Sequence, residues 1–524
     1  MSDIAVTFVV LAAIVALFVS GRLPVEVTAI GATLVLWATG VLTIDQALSG
    51  FGDATVIFIA TLFVVSEGLD STGVTAWAGQ QLMARAGPSR VRLLVLMMLL
   101  VAGLTAVISV NGAVAALLPV VVVLATRTKR PASRLLIPLV FGAHAGSMLA
   151  LTGTPVNVLV SDAALDYGGQ AFGFFEFALV GVPLLVGTIA VVVLLGDRLL
   201  PVRTPRVISL DLSRHAKTLV AQYARGAGDP TELAFDRETG LVEVVIPPRS
   251  PFLGERVYPG MATADGDLVV RAVQRKGEPV GERGVDLAIG DTLLLQGPWE
   301  ALDARADDPG LLVVDQPALV RRQAIPLGSG ARRALLCAGA MVLLLATGVV
   351  PAAVAGLLAA GALIVTRVLP IEQAYRAINW TTVVLVGAML PLSTAMTETG
   401  AAQLVADGLV EVVRAGGPYA LLAGLFVVTM VFGQLISNMA TALIMIPIAV
   451  ASATELGIAI RPVLMSLTVA AAASLLTPVA TPVNLMIMGP AGYRFADYWK
   501  LGLAVMVVFF VVAVFLVPLV WPFA

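Results

Sequence analysis

The sequence predicts a polytopic α-helical membrane protein with two repeats and a small soluble α/β insert between them. Of its 524 residues, 59% are hydrophobic and 13% are charged, whereas about a quarter of the residues of a soluble domain are charged. Apolar runs close to the roughly 20 residues that cross a bilayer core occur at 4–19, 91–108, 179–195, 335–350 and 501–519. The tetrapeptide TPVN occurs twice, at 154–157 and 481–484.

The composition also excludes several classes of site. The chain has one cysteine, Cys337, and two histidines, His144 and His215, so an internal disulfide or a metal site of cysteines and histidines is not expected. The net charge of −2 indicates nothing about partners, but no stretch of the sequence resembles a nucleic-acid-binding surface, so no nucleic-acid partner is expected. The N-terminus lacks a basic region before its first apolar run, which favours a retained helix over a signal peptide.

Shifting the sequence by 327 residues aligns the two halves. Residues 41–47 (VLTIDQA) fall on 368–374 (VLPIEQA), and the two TPVN motifs coincide. With one extra residue of shift, 109–119 (SVNGAVAALLP) falls on 437–447 (SNMATALIMIP). We therefore expect transmembrane repeat 1 at 1–200, an insert at 201–327 and transmembrane repeat 2 at 328–524, a plan typical of secondary transporters.

The same elements are predicted in order in each repeat. Two spanning helices come first (4–19 and 24–41; 333–349 and 351–369), then a third (54–70; 380–397) and a short polar connector. Two arms broken by small polar residues follow, read as a re-entrant hairpin (91–125; 418–453). A broken helix carries TPVN (135–165; 462–490), and one long helix closes the repeat (174–196; 500–522).

With a re-entrant hairpin, each repeat crosses the membrane an odd number of times, so the second repeat is inverted. If the two arms are instead two full spans, the basic residues fall on the same faces only when the first arm crosses the membrane and the second crosses back. The face opposite the termini then receives most of the basic residues: Arg22, Arg85, Arg90, Arg92, Arg127, Lys129, Arg130, Arg134, Arg198, Arg321, Arg322, Arg332, Arg333, Arg367, Arg376, Arg494 and Lys500. The other face receives Arg414 and Arg461. The positive-inside rule thus predicts a multi-pass protein of the cell (plasma or inner) membrane, with a cytoplasmic insert and both termini outside.

Small polar residues interrupt the apolar segments at 109–112, 153–157, 437–441 and 480–484. Interrupted backbone inside a membrane must face protein, water or a ligand. Helix N-termini suit an anion, and carbonyl, hydroxyl and amide oxygens suit a dehydrated cation such as sodium. The pattern therefore predicts a transporter in which an anion and cations bind side by side.

The paired hairpin motifs and TPVN breaks resemble the divalent anion:sodium symporter (DASS) family of the ion transporter superfamily. The resemblance covers both repeats and implies a homodimer with elevator-type alternating access. It also implies a Ser-Asn-Thr triplet at each hairpin tip. The second tip matches in Ser437 and Asn438, with Met439 in place of threonine; in the first, Asn111 matches, while Val110 and Gly112 replace serine and threonine.

The resemblance further implies the site residues. The expected substrate ligands are Asn111, Gly112, Thr154, Pro155, Ser437, Asn438, Met439, Thr481 and Pro482. One sodium site is expected at Ser109, Asn111 and Gly153, and a second at Ser437, Asn438 and Ala480. Because the two threonines are absent, dicarboxylate and sulfate both remain open as substrates. Because Val110 replaces the serine of the first tip, sodium and proton both remain open as coupling ions. No further cofactor is expected.

Four polar residues outside these motifs have two interpretations each. His144 either titrates during transport or packs between helices, and packing is favoured. Gln434 either lines the site or bonds between helices. Glu67 and Asp70 either relay a cation or proton or mark a solvated helix end, and the helix end is favoured.

The composition of the insert differs sharply from that of the repeats, because it contains many charged residues. Short alternating runs at 240–248, 266–275 and 290–297 predict strands, and 215–226 and 298–308 predict helices. In Glu243, in the run 250–257 (SPFLGERV) and in the pattern GD-LLL-G at 290–297, the core at 240–314 resembles the TrkA-C (RCK-C) regulatory domain. The resemblance implies either a small-molecule or nucleotide ligand or a structural, dimerising role; Arg271, Arg275 and Lys276 are the candidate contacts for an anion, unless they form a solvated face.

These observations favour sodium-coupled import of a small divalent anion. A cation/proton antiporter or metalloid-anion exporter of the same superfamily would need a membrane-buried carboxylate, and the repeat tips carry none. A potassium channel or uptake subunit would need a filter-like loop, which is absent. An enzyme is not expected, since no paired carboxylates or Ser-His-Asp set lies at corresponding depths.

Overall fold

The structure is a computed structural model that describes residues 2–20, 22–86, 89–128, 130–203, 239–263, 265–275, 278–280, 284–306, 308–314, 328, 330–413 and 416–524. The chain forms two compact units. One comprises Met1–Asp70, Ala78–Ile208 and Arg332–Ala524, and the other comprises Ser71–Trp77 and Ser209–Ala331.

Among the described residues, ten α-helices precede the insert. They are α1 Asp3–Ser20, α2 Val25–Ala38, α3 Ile44–Ser49, α4 Ala54–Ser71, α5 Val74–Ala86, α6 Arg90–Val107, α7 Val110–Arg127, α8 Leu136–Gly146, α9 Pro155–Gly168 and α10 Ala178–Leu199. The predicted hairpin corresponds to α6 and α7, and the predicted broken helix to α8 and α9. At about 1.5 Å per residue, the 11 residues of α8 and the 14 of α9 each fall short of the roughly 30 Å bilayer core.

The insert contains β1 Thr239–Val245, β2 Arg256–Val257, β3 Val269–Arg275, β4 Glu278–Pro279, β5 Val285–Asp286, β6 Thr292–Pro298, helix α11 Trp299–Ala306 and β7 Leu312–Val313. Five strands form an antiparallel sheet in the order β4-β3-β6-β1-β7, and β2 pairs with β5. Trp299, Val242 and Leu295 lie in its apolar core. The predicted strands and the second predicted helix are present; the helix predicted at 215–226 lies outside the described residues.

The basic residues proposed as contacts for an anion have partners within the insert. Arg275 bonds the buried Asp291 through two nitrogens, at 2.8 and 2.7 Å. The hydrogen bond from Arg275 holds the pKa of Asp291 below its usual value, although burial acts in the opposite direction. Arg271 donates to Gln296, and Lys276 lies outside the described residues. The guanidinium of Arg275 therefore stabilises the sheet, and its role as a contact for an anion stays a prediction.

The second half repeats the order of the first. Its helices are α12 Ala331–Thr347, α13 Ala352–Val365, α14 Ile371–Ala377, α15 Trp380–Glu398, α16 Ala401–Val413, α17 Gly417–Leu435, α18 Asn438–Glu455, α19 Ile460–Ala472, α20 Pro482–Met486, α21 Met488–Ala491, α22 Trp499–Val511 and α23 Val517–Val520. A π-helical turn at Val512–Leu516 joins the last two. Val25 and Ala352 begin corresponding helices, as do Pro155 and Pro482, each with an offset of 327.

The polar connector predicted in each repeat is wrong, because a helix, α5 or α16, occupies it. Ala402, Ala406 and Val410 of α16 are buried, and this spacing of four residues forms one apolar face of a helix. Charged and polar residues on the other face obscured that period in the sequence.

Eight helical segments of the described chain are long and apolar enough to cross a membrane. Several of their large apolar side chains point outward: Leu194 is 74% exposed and Leu336 is 72% exposed. Such exposure is costly in water and favourable in lipid. The protein is therefore a multi-pass helical membrane protein, as predicted.

Candidate functional site

The break between α8 and α9 is a loop, 147–154, that folds back on itself. The side-chain amide of Asn157 donates to the carbonyl oxygens of Ser147 at 2.8 Å and Ala150 at 2.9 Å. Asn157 is fully buried, where a carbonyl without a donor would be costly. One asparagine thus compensates for two backbone hydrogen bonds that the broken helix cannot make.

The break between α19 and α20, loop 473–481, repeats this arrangement. The amide of Asn484 donates to Ser474 O at 2.8 Å and Thr477 O at 2.9 Å. The acceptors lie ten and seven residues before the asparagine in both loops. This shared requirement gives a physical reason why TPVN occurs twice.

The threonine and proline of each motif set the helix restart. Thr154 and Thr481 are extended, with φ of −151° and −146°, and each precedes a helix that begins with proline. Proline at the first position has no N–H to leave unpaired. The hydroxyl of Thr481 accepts from Asn484 N at 3.4 Å, so this predicted ligand is also a helix cap.

Each predicted hairpin has a sharp, capped tip. Between α6 and α7, Ile108 is extended and the hydroxyl of Ser109 accepts from Gly112 N at 3.2 Å. Between α17 and α18, Ile436 is extended and the hydroxyl of Ser437 accepts from Ala440 N at 3.3 Å. Both tips therefore present the N-terminus of an 18-residue helix, which carries a partial positive charge.

The second tip and the second loop form one network. Ser474 donates its hydroxyl hydrogen to the side-chain oxygen of Asn438. Gln434 donates to Ala473 O at 3.2 Å and accepts from Leu476 N at 3.0 Å. Gln434 therefore bonds between its helix and the loop, as one of its two interpretations expects, and its role in lining the site stays a prediction.

The first tip is built differently. Thr152 donates to the carbonyl of Ala106 at 2.7 Å, which ties the first loop to the end of α6. The hydroxyl of Ser66, on α4, lies 3.1 Å from where a Cβ on Gly112 would be. A threonine at Gly112 would crowd that hydroxyl. Sequence reasoning missed Ser66, because this residue lies on a helix far from the tip in the sequence.

Most of the predicted ligands are only partly covered by protein. Seven are half-buried: Ser109, Asn111, Gly112, Thr154, Pro155, Ser437 and Asn438. Gly153, Met439, Ala480 and Thr481 are buried, and Pro482 is exposed. No charged residue occurs at 105–115, 147–157, 433–443 or 473–484. Bound ions at these tips and loops would therefore have to balance each other's charge.

His144 links the two halves of the membrane unit. It is 2% exposed, and its Nε2 lies 3.3 Å from the side-chain oxygen of Asn484. Tyr498 donates its hydroxyl hydrogen to the backbone carbonyl of the same asparagine at 2.6 Å. The interpretation of His144 as a residue that packs between helices agrees with this position.

The carboxylates of the membrane unit lie outside the tip and loop segments in the sequence. Gln373 donates to Glu67 at 2.7 Å. Glu67 is half-buried, so it is less solvated than the favoured interpretation as a solvated helix end expects. A cleft of about 200 Å³ is lined in part by Asp53, Asp162 and Asp166. Within the described residues, no three His, Cys, Asp or Glu side chains are grouped so that they could hold a metal ion.

Comparisons with known proteins identify the family. The sequence profile of the citrate transporter family (CitMHS) matches residues 15–470. The protein is 30% identical to the uncharacterized transporter YfbS of Escherichia coli (strain K12), over 98% of each chain. It is 25% identical to the probable sodium/sulfate cotransporter 3 of Chlamydomonas reinhardtii, over 53% of this chain and 32% of that protein.

A solved structure, the crystal structure of the Alcanivorax borkumensis YdaH transporter, is similar at 13% identity and a TM-score of 0.49, over 92% of this chain and 89% of that one. The family and these relatives are transporters, which confirms the prediction that the protein is not an enzyme. Because the profile spans most of the sequence and one relative matches over 98% of its length, the protein belongs to the citrate transporter (CitMHS) family.

Proposed function

We propose that the protein is a secondary active transporter that couples sodium influx to import of a small divalent oxyanion, with sulfate as the substrate. The observation that carries the proposal is the network at the second tip, where Asn438 and Ser474 join a helix N-terminus to a loop of constrained carbonyls. The N–H groups and hydroxyls suit an oxyanion. The carbonyl and amide oxygens suit sodium.

Sulfate is favoured over a dicarboxylate for two reasons. Gly112 and Met439 stand where the DASS pattern has threonines, so two hydroxyls that would hold carboxylate oxygens are missing. A relative is named a probable sodium/sulfate cotransporter. Citrate is the second candidate, because the family profile that matches residues 15–470 is that of citrate transporters.

The proposed topology places the insert in the cytoplasm and both termini outside, with the second repeat inverted. The described ion pairs support it. Arg90 and Arg134 both bond Asp197, at 2.9 and 3.1 Å, and Arg203 bonds Asp497 at 2.7 Å. These pairs join segments that the topology assigns to the cytoplasmic face. We further propose that the protein is an elevator-type homodimer, with one hairpin and one broken helix of each repeat in the moving part.

We propose that the insert is a TrkA-C-type regulatory domain for a small molecule or nucleotide. Its antiparallel sheet packed against α11 supports this role. Thermal unfolding of the purified full chain with and without ATP, ADP and cyclic dinucleotides tests it. We expect one of them to raise the unfolding temperature; if none does, the insert has a structural role.

Uptake into proteoliposomes tests the transport proposal. Radiolabelled sulfate, succinate and citrate are offered separately, with an inward sodium gradient, an inward proton gradient or neither. We expect sulfate uptake that requires the sodium gradient. Citrate uptake alone would identify the second candidate, and uptake driven only by protons would overturn sodium coupling.

The variant Asn438→Ala tests the site. We expect it to abolish coupled uptake, because it removes the tip oxygen that accepts from Ser474. Asn379→Ala is the matched control, since Asn379 only caps α15 by accepting from Thr382 N at 3.0 Å. Equal uptake by both variants would contradict the assignment of the second tip.

A further inference from the structure

His144 lies at the end of α8, directly before the first loop, and is 2% exposed. Its partner, the side-chain oxygen of Asn484, belongs to the motif of the other repeat, 340 residues away in sequence. Helix α20, which carries Asn484, packs against both α7 and α8. The contact therefore connects the first broken helix to the second loop.

The bonds of Asn484 fix which atom carries the hydrogen. Its amide nitrogen donates to two carbonyl oxygens, Ser474 O and Thr477 O, and carbonyl oxygens can only accept. The amide oxygen must therefore be the atom that faces His144. Because that oxygen can only accept as well, Nε2 of His144 carries the hydrogen and donates it.

The first loop has no such partner. Asn157 makes the same two bonds, but its side-chain oxygen is buried and has no hydrogen-bond partner among the described residues. The position equivalent to His144, at an offset of 327, is Ala471, whose side chain has no donor. Ala471 lies on α19, the helix that packs against α9, where Asn157 is located.

We infer that His144 is a positioning residue that fixes the conformation of the second loop through hydrogen bonds. We call the chain of bonds from His144 through Asn484 and Ser474 to Asn438 the lock. His144 holds the amide of Asn484 in one orientation, and this amide holds the carbonyls of Ser474 and Thr477. The hydroxyl of the same Ser474 reaches Asn438 at the hairpin tip. The lock therefore extends from α8 to the second tip, and the first loop lacks it. Only the assignment of this loop to a transport site rests on the proposed function.

Two measurements test the lock without any transport. In solid-state NMR of ¹⁵N-histidine-labelled protein in lipid, assigned with His215→Gln, we expect His144 to be protonated at Nε2. A neutral ring protonated only at Nδ1 would overturn the inference. By hydrogen exchange in nanodiscs, His144→Leu should speed exchange at 473–484 by about fivefold or more, the factor for one ordinary hydrogen bond.

The conservative variant His144→Gln keeps a donor at nearly the same distance from the backbone. We expect it to restore slow exchange at 473–484, while exchange at 147–157 stays unchanged in both variants. If the glutamine variant is as fast as the leucine variant, or if both loops respond equally, His144 is only a packing residue. The NMR measurement decides the question if the leucine variant does not fold.

A transport readout adds the functional consequence. We expect His144→Leu to raise the half-saturating sodium concentration about fivefold, to leave the maximal rate within about twofold, and to be rescued by glutamine. A fall in maximal rate alone would contradict a positioning role. If the wild-type protein moves no sulfate, succinate or citrate, the proposed function fails while the NMR and exchange results still decide the lock.

Discussion

The loop at 147–154 and the loop at 473–481 are held by the same two hydrogen bonds, from Asn157 in the first and Asn484 in the second. Their surroundings differ. Asn484 also accepts from His144, and its backbone carbonyl accepts from Tyr498. The side-chain oxygen of Asn157 has no partner among the described residues.

The difference shows which features the two loops need and which are specific to one of them. A broken helix in a membrane must satisfy its freed carbonyls, so the asparagine occurs in both. Nothing in that requirement fixes the neighbours of the asparagine. The second loop also bonds to a histidine and to its hairpin tip, whereas the side-chain oxygen of Asn157 in the first has no partner among the described residues. We expect variants of the two loops to separate these contributions.

The largest effect is expected from Asn484→Ala, compared with Asn157→Ala. The first leaves two carbonyls and the N–H of His144 unpaired, and the second leaves two carbonyls. Each buried group without a partner costs about 1–3 kcal/mol. Thermal unfolding in detergent should therefore give both variants a lower midpoint than the wild type. The midpoint of Asn484→Ala should be the lowest of the three. Equal midpoints would mean that the histidine adds nothing to the second loop.

The positions of the helix breaks could be predicted from the sequence, because the residues that cause a break lie at the break itself. Proline, glycine and small polar residues mark where an apolar helix must break, so helices end and begin close to the predicted interruptions, while the re-entrant hairpins stay a prediction. The duplication strengthened each signal by showing it twice. Of the site, the tips and the TPVN turns were predicted in this way, and the assignments of ions to them remain predictions.

The contacts that distinguish the loops could not be predicted. His144 and Asn484 are 340 residues apart, and the bond from Ser474 to Asn438 joins two different helical elements. Ser66 reaches Gly112 from another helix. Such contacts depend on how helices pack, and a single sequence does not carry that packing. The helices α5 and α16 were missed because each has only 13 residues and alternates apolar with polar ones.

The next effect concerns Gly153 and its counterpart Ala480. A Cβ on Gly153 would overlap the backbone carbonyl of Ser147, whereas the second loop already accommodates the Cβ of Ala480. We expect Gly153→Ala to cost about 1–3 kcal/mol or more from overpacking. Ala480→Gly should cost about 1 kcal/mol or less, mainly through added chain freedom in the unfolded state.

Thermal unfolding of these two variants, with uptake measured in parallel, compares how closely each loop packs on its own backbone. The ordering, and not the absolute values, is the prediction. A mild effect of Gly153→Ala, equal to that of Ala480→Gly, would show that the first loop can relax outward and is not the more tightly folded of the two.

The smallest difference in stability, and the one most specific to function, is expected between Ser474→Ala and Ser147→Ala. Ser147 donates to His144 O at 2.8 Å, inside its own helix turn, and Ser474 donates to Asn438 at the hairpin tip. Each variant loses one ordinary hydrogen bond, about 1 kcal/mol, so their unfolding midpoints should fall by similar amounts.

The two variants should differ in transport, because only Ser474→Ala removes a hydrogen bond between a loop and a hairpin tip. Its half-saturating sodium or sulfate concentration should therefore rise about fivefold, while that of Ser147→Ala stays near the wild-type value. If the two variants match in uptake as well as in stability, the hydroxyl of Ser474 serves only the fold, and the two loops are equivalent in function despite their different neighbours.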